Sequence, residues 1–304
     1  MACETKIWLV LHLLLLVACY MQHYVHGQTQ TSQVPCIFIF GDSLSDNGNN
    51  NNLRTNAKSN YNPYGVDFQE GPTGRFTNGK TSIDMIGEML GFAKFIPPYA
   101  NISDSDDILG GVNYASGASG IRQETAKHMG DNVAFGLQIS HHKIIVARIA
   151  IRLGGFRNAI NYLNKCLYYV NIGSNDYINN YYLPQFYPTS RIYNTEQYAE
   201  VLIKQYSPYI KSLYDNGARK FVHVGIGLIG FTNINAPCCQ VRSDGMCAPD
   251  LISCSNRNVF VFYDAFHTTE AVNFLIALTS YDSSSAPGTT YPMDIKQLAQ
   301  YPIN

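Results

Sequence analysis

The chain has 304 residues, 46% hydrophobic and 14% charged, with a formal net charge of -1. That composition excludes a disordered chain and suits one large α/β domain or two smaller ones. A near-neutral balance without a Lys/Arg run lacks the electrostatic footprint of a nucleic-acid binder, so no nucleic-acid partner is expected.

At the N-terminus Lys6 precedes an apolar run, Ile7 to Ala18, broken only by His12, and small or polar residues follow around Gly27-Gln28. This pattern predicts a secretory signal peptide over 1–27 and a single domain over 28–304. The run is too short for a comfortable membrane span and no later stretch approaches ~18 apolar residues, so a secreted, extracellular or cell-wall protein is expected. Outside the leader lie Cys36, Cys166, Cys238, Cys239, Cys247 and Cys254. An even set in an exported chain predicts disulfides. The last four lack paired C-x-x-C units and have no histidine among them, which argues against a zinc site. Cys36 and Cys166 each open an apolar strand-like run and can pair if those strands are neighbours.

The first element is the run Ile37 to Phe40, a short buried strand that stops at Gly41 and gives way to polar residues. In open α/β sheets ligands bind at the carboxyl edge, and the side chain delivered there is Ser43, a nucleophile if a base reaches it. Leu53 to Lys80 is rich in turn residues and carries Asn62-Pro63-Tyr64-Gly65 and Gly74-Arg75-Phe76-Thr77-Asn78-Gly79, with Arg75 expected in a surface salt bridge. Ser82 to Leu90 has helical spacing and ends at Gly91. Asn101-Ile102-Ser103 is a glycosylation sequon in a polar stretch. Gly111 to Gly120 reads as a brief strand running into a glycine-rich turn whose backbone can approach a ligand closely.

Phe135 to Leu163 is helical in pattern, with a break at Gly154-Gly155, and His141 and His142 are expected on its surface. Cys166 to Ile172 is a third strand, ending in Gly173-Ser174-Asn175-Asp176 as the first ends in Gly41-Asp42-Ser43. Thr195 to Asn216 is helical, capped by Thr195 and kinked at Pro208; Lys220 to Ile226 is a further strand, with His223 a satisfied structural residue. Val259 to Tyr263 leads into Asp264-Ala265-Phe266-His267, where the aspartate and histidine can share one face of a turn. Strands alternating with helices predict a parallel sheet covered on both faces.

Four blocks in this order, Gly41-Asp42-Ser43-Leu44, Ser116-Gly117, Gly173-Ser174-Asn175-Asp176 and Asp264-Ala265-Phe266-His267, together with the run Ser45-Asp46-Asn47-Gly48-Asn49-Asn50, give the chain its likeness. It resembles the plant GDSL esterase/lipases of the SGNH hydrolase superfamily from Pro35 to Asp294. The resemblance implies a flavodoxin-like, three-layer α/β/α fold around a parallel sheet. It implies Ser43 as nucleophile, His267 as general base and Asp264 as its orienter. The oxyanion donors would be the Gly117 backbone (Gly120 being the rival) and the Asn175 side chain. Small-molecule, lipid or acylated polysaccharide esters are the expected substrates, and the chemistry needs no metal or organic cofactor.

The likeness has one gap. After Thr232 the plant family continues through a helix, a strand and another helix, whereas here Asn233 leads almost directly into Pro237-Cys238-Cys239. A parallel strand without its crossover cannot join the sheet, so an edge strand is expected to be missing. The competing reading is a catalytically impaired secreted glycoprotein that binds cell-wall or lipid material.

Overall fold

The computed structural model describes residues 32–225 and 236–303. The expected leader, and the stretch around Thr232 where the chain departs from its likeness, lie outside the described residues.

Four strands form one parallel sheet in the order β2-β1-β3-β4. They are β1 (Ile37–Gly41), β2 (Gly111–Asn113), β3 (Leu167–Asn171) and β4 (Lys220–His223). Every residue of β1, β2 and β3 is buried. That matches the apolar residues of the two central strands β1 and β3, since a central parallel strand meets core on both faces. The exceptions are Asn171, at the end of β3, and Asn113, at the end of the outer strand β2. On one face Phe38, Phe40, Tyr168 and Val170 pack with Phe135, Ile145 and Ile149 of helix α2 (Phe135–Arg152) and with Tyr198 and Leu202 of helix α4 (Thr195–Asp215). On the other, Ile37, Ile39, Leu167 and Tyr169 pack with Ile83 and Ile86 of helix α1 (Ser82–Met89), Ala277 of helix α5 (Glu270–Tyr281) and Ile295 of helix α6 (Ile295–Gln300). The result is the expected three-layer α/β/α arrangement.

Local sequence sets the helix boundaries. Thr81 and Asp84 form a reciprocal capping box at the start of α1. The break expected at Gly154-Gly155 separates α2 from α3 (Phe156–Leu163), both glycines having positive φ. The cap of α4 is Asn194, boxed with Gln197, one residue before the expected Thr195, and the helix continues through Pro208. The disulfide expected between neighbouring strands joins Cys36 and Cys166, and two others join Cys238 to Cys254 and Cys239 to Cys247.

Three expectations are corrected. His142 is a core residue, wedged among Phe38, Phe40, Tyr114 and Tyr168, and its burial pushes the imidazole down to about 3. Arg75 makes a buried rather than a surface ion pair. Its Nε and Nη2 donate to Asp84 at 2.7 and 2.9 Å, and Phe68 and Phe95 lie against the guanidinium. Finally, His223 is satisfied as expected, by a hydrogen bond with Tyr206, but it ends β4 and lies exposed instead of sitting inside the strand. Val259 to Tyr263 forms no ladder strand, only an isolated pairing of Phe262 with Thr268, so β4 is an edge among the described residues.

Candidate active site

Strands β1 and β3 run in register from Ile37↔Leu167 to Gly41↔Asn171, so they end side by side. Ser43 and Asn175 follow those two ends. Gly41 is needed at the seam: a Cβ there would meet the Asn171 carbonyl oxygen at 2.5 Å. The turn after β1 is clamped by Gln138, a fully buried residue of α2. Its Oε1 accepts from the Gly41 N–H at 3.0 Å, and its Nε2 donates to the Gly41 carbonyl at 2.8 Å.

His267 arrives from the other end of the chain. Its Nε2 lies 2.7 Å from Ser43 Oγ and its Nδ1 lies 2.6 Å from Asp264 Oδ2. An ionised carboxylate can only accept, so Nδ1 carries the proton and Nε2 is left to accept from the Ser43 hydroxyl. Asp264 is fully buried and saturated with donors. Oδ1 accepts from the Phe266 and His267 N–H groups, and Oδ2 accepts from His267 Nδ1 and the Tyr64 hydroxyl. Burial alone would raise this carboxyl, but the adjacent His267 and those hydrogen bonds outweigh it and hold the group below its ordinary value. Ser43 keeps 9% of its surface accessible against 2% for His267 and 0% for Asp264, so the serine is the most accessible of the three residues.

The Asn175 carboxamide has a fixed orientation. Nδ2 donates to the Ser119 carbonyl at 3.0 Å and Oδ1 accepts from Asn179 Nδ2 at 2.6 Å. One N–H of the pair is thus used in holding the turn, and the other is available to a ligand. Gly117 is a correction. Its N–H donates to Asp46 Oδ2 at 2.8 Å, so it is committed within the protein instead of being presented to a substrate. What position 117 requires is the absence of a side chain, because a Cβ would meet Phe76 at 2.5 Å and Asn50 Nδ2 at 2.8 Å. Gly120, the rival, is likewise a spacer: Asp176 comes within 2.6 Å of where its Cβ would be. Asp176 in turn accepts from the Ile121 and Arg122 N–H groups and from Thr125.

The residues that sequence reasoning left without a role are those that cradle Asp264 and His267. Phe76 packs its ring 5.0 Å from the His267 ring. Asn78 Oδ1 accepts from the Glu270 N–H at the start of α5. The Tyr263 hydroxyl donates to the Pro63 carbonyl at 2.5 Å. The two glycine-rich motifs at 62–65 and 74–79 are therefore the platform of the Asp264–His267 turn. Asn101 is exposed, as its sequon suggested. A cavity of about 620 Å³ opens between Asn47, Arg75, Phe92, Phe95 and Pro98, and none of Ser43, Asp264 or His267 lines it. No cluster of His, Cys, Asp or Glu suited to a metal occurs among the described residues.

A family model described as GDSL-like lipase/acylhydrolase matches residues 37–232. The chain belongs to this family. The GDSL esterase/lipase At1g29670 of Arabidopsis thaliana is 41% identical to it, over 94% of this chain and 97% of its own. The GDSL esterase/lipase At1g29660 of the same plant is also 41% identical, over 88% and 92%. The first alignment extends over 355 residues, more than the 304 here, so that relative carries residues for which this chain has no counterpart. The family match itself stops at 232, where the likeness was expected to lapse.

Proposed function

We propose that this member of the GDSL family is a secreted carboxylic ester hydrolase that works through an acyl-enzyme. The observation that carries the reading is the unbroken chain of contacts Ser43 Oγ, His267 Nε2, His267 Nδ1, Asp264 Oδ2, at 2.7 and 2.6 Å. Ser43 Oγ attacks the ester carbonyl as its proton passes to His267 Nε2. Asp264 steadies the imidazolium, which returns that proton to the departing alcohol. Water then repeats the sequence on the acyl-serine, releasing the acid and restoring the hydroxyl. The free N–H of Asn175 and the Ser43 backbone N–H stabilise the tetrahedral oxyanion, a contribution of about 3–4 kcal/mol per donor in comparable sites.

Substrates are small-molecule, lipid or acylated polysaccharide esters. Export under a leader at 1–27 is supported by three disulfides, a sign of an oxidising compartment, and Asn101 is the glycosylation site. Among the described residues no helix is long and apolar enough to cross a membrane.

A fluorophosphonate probe applied to protein recovered from the medium of expressing plant cells tests the whole reading. The wild type should take up one label at Ser43, begin near Gln28 by intact mass and carry a glycan at Asn101, and Ser43→Ala should take up none. A folded wild type that stays unlabelled is the outcome expected of the impaired glycoprotein instead.

A further inference from the structure

We infer that Tyr64 is a positioning residue of the hydrolytic site, a fourth member behind Asp264 whose hydroxyl shares the oxygen that receives the histidine. The inference rests on the esterase reading above. Tyr64 is fully buried, and its hydroxyl lies 2.5 Å from Asp264 Oδ2, the atom that also accepts from His267 Nδ1 at 2.6 Å.

The direction of that hydrogen bond follows from its neighbours. A phenol has one proton to give and lone pairs to receive. The Cys247 N–H donates to the Tyr64 oxygen at 3.1 Å, which fills the receiving side. Only two acceptors then compete for the proton: Asp264 Oδ2, and Met246 Sδ at 3.7 Å. An anionic oxygen at short range outcompetes a thioether, a weak acceptor. The hydroxyl is therefore oriented by the loop that the Cys239–Cys247 disulfide closes, and its proton points at the carboxylate.

A donor on Oδ2 has two effects. It withdraws charge from the atom that holds the imidazole, so the imidazolium is stabilised less than by a bare carboxylate. It also fixes the plane of the carboxylate, because Oδ1 is already held by two backbone N–H groups. The other titratable or charged groups near the pair are Asp42 facing His267, Tyr61 beside Tyr64, Tyr263 preceding Asp264, and Arg242 with Asp244 beyond Tyr61. The substitutions below leave Asp42, Tyr263, Arg242 and Asp244 in place.

Tyr64→Phe keeps the ring and removes the donor. On folded, fluorophosphonate-reactive protein, kcat should fall by about tenfold because the carboxylate plane that orients the imidazole is no longer fixed, while KM stays put because Tyr64 is buried out of a substrate's reach. The acid limb of the kcat/KM profile should move up by roughly half to one pH unit, since a carboxylate lacking that donor holds the protonated imidazole more firmly. Tyr61→Phe is the control. Its hydroxyl donates to the Cys247 carbonyl of the same loop at 3.0 Å, and its loss should leave the acid limb where it is.

Should Tyr64→Phe fail to fold, fluorotyrosine at position 64 retains ring and hydroxyl. Its more acidic phenol is a stronger donor and should move the limb downward. Tyr64→Phe that folds with kcat and limb unchanged overturns the inference, as does a fluorotyrosine protein with an unmoved limb. Equal limb shifts in the Tyr61 and Tyr64 variants also overturn it, by reducing Tyr64 to loop packing. A folded wild type without label at Ser43 removes the esterase reading itself, and that result is distinct from all of these.

Discussion

Asp42, beside Ser43, and Asp264, beside His267, are both buried aspartates, and their surroundings drive them in opposite directions. Asp264 receives four donors. Asp42 receives the Leu44 N–H on Oδ1 at 3.1 Å, while Oδ2 is buried with no partner. Burial therefore dominates and pushes the Asp42 carboxyl up to about 7, against smaller opposing contributions from the Leu44 N–H and His267. A carboxyl raised in the fold binds protons that the unfolded chain has already released between its unfolded value of 3.8 and about 7. Its contribution to stability is full below the lower value and is lost as pH rises through the upper one. The loss amounts to on the order of 4 kcal/mol. Asp42→Asn removes that ionisation. The stability of the variant relative to wild type, from urea unfolding at a series of pH values, should climb between pH 4 and 7 and level off above. A flat difference across that range would show that Asp42 titrates in the fold as it does in the unfolded chain.

At the scale of elements, the site is a matter of what holds the ends of β1 and β3 together. Gln138 supplies the partner of the Gly41 N–H from 97 residues away, and also donates to the Gly41 and Val133 carbonyls. Gln138→Leu keeps the bulk and strips away these bonds. The Gly41 carbonyl would keep the Ser116 N–H and the Ser119 hydroxyl, but the buried Gly41 N–H would lose its partner, so a stability loss of roughly 1–3 kcal/mol is expected. Because the turn carrying Ser43 loses its clamp, kcat should fall further than KM rises; the two are separated by steady-state kinetics on a chromogenic ester well below the melting temperature. Helical periodicity shows that position 138 faces inward, but nothing local says that a glutamine there serves a strand end. The strands were legible for the opposite reason: Ile37 to Phe40 and Cys166 to Val170 are apolar runs, and the chain turns at Gly41 and Gly173 soon after each. That Ser43, Asp264 and His267 would meet was legible because their short motifs, weak alone, fall in the order of the plant family's blocks. Tyr64, Phe76 and Asn78 were not, because each acts on residues nearly 200 positions later. Gly117 was misjudged because its motif reveals a close backbone approach, while only the fold reveals that the neighbour approached is Asp46.

Across the whole molecule, the site joins a sheet-borne half, Ser43 and Asn175, to a loop-borne half, Asp264 and His267, and each half has its own disulfide. Cys36–Cys166 spans 130 positions and ties β1 to β3. Cys239–Cys247 spans 8 positions and closes the loop that touches Tyr64. In the chain-entropy account a bridge stabilises chiefly by shrinking the unfolded ensemble, by about 5 kcal/mol for a loop of more than a hundred residues and about 2–3 for a short one. Stability and activity should therefore respond in opposite order. Replacing Cys36 and Cys166 together by alanine should produce the larger drop in melting temperature, yet leave kcat close to wild type at temperatures where the protein is folded, because the strand ladder still sets the register. Replacing Cys239 and Cys247 together should lower the melting temperature less but reduce kcat more, since the Cys247 N–H no longer orients the Tyr64 hydroxyl toward Asp264. Calorimetry and steady-state kinetics on the same two preparations decide it. If the first pair of substitutions proved the more damaging to kcat in the folded range, the loop-borne half would be anchored by the sheet and not by its own bridge.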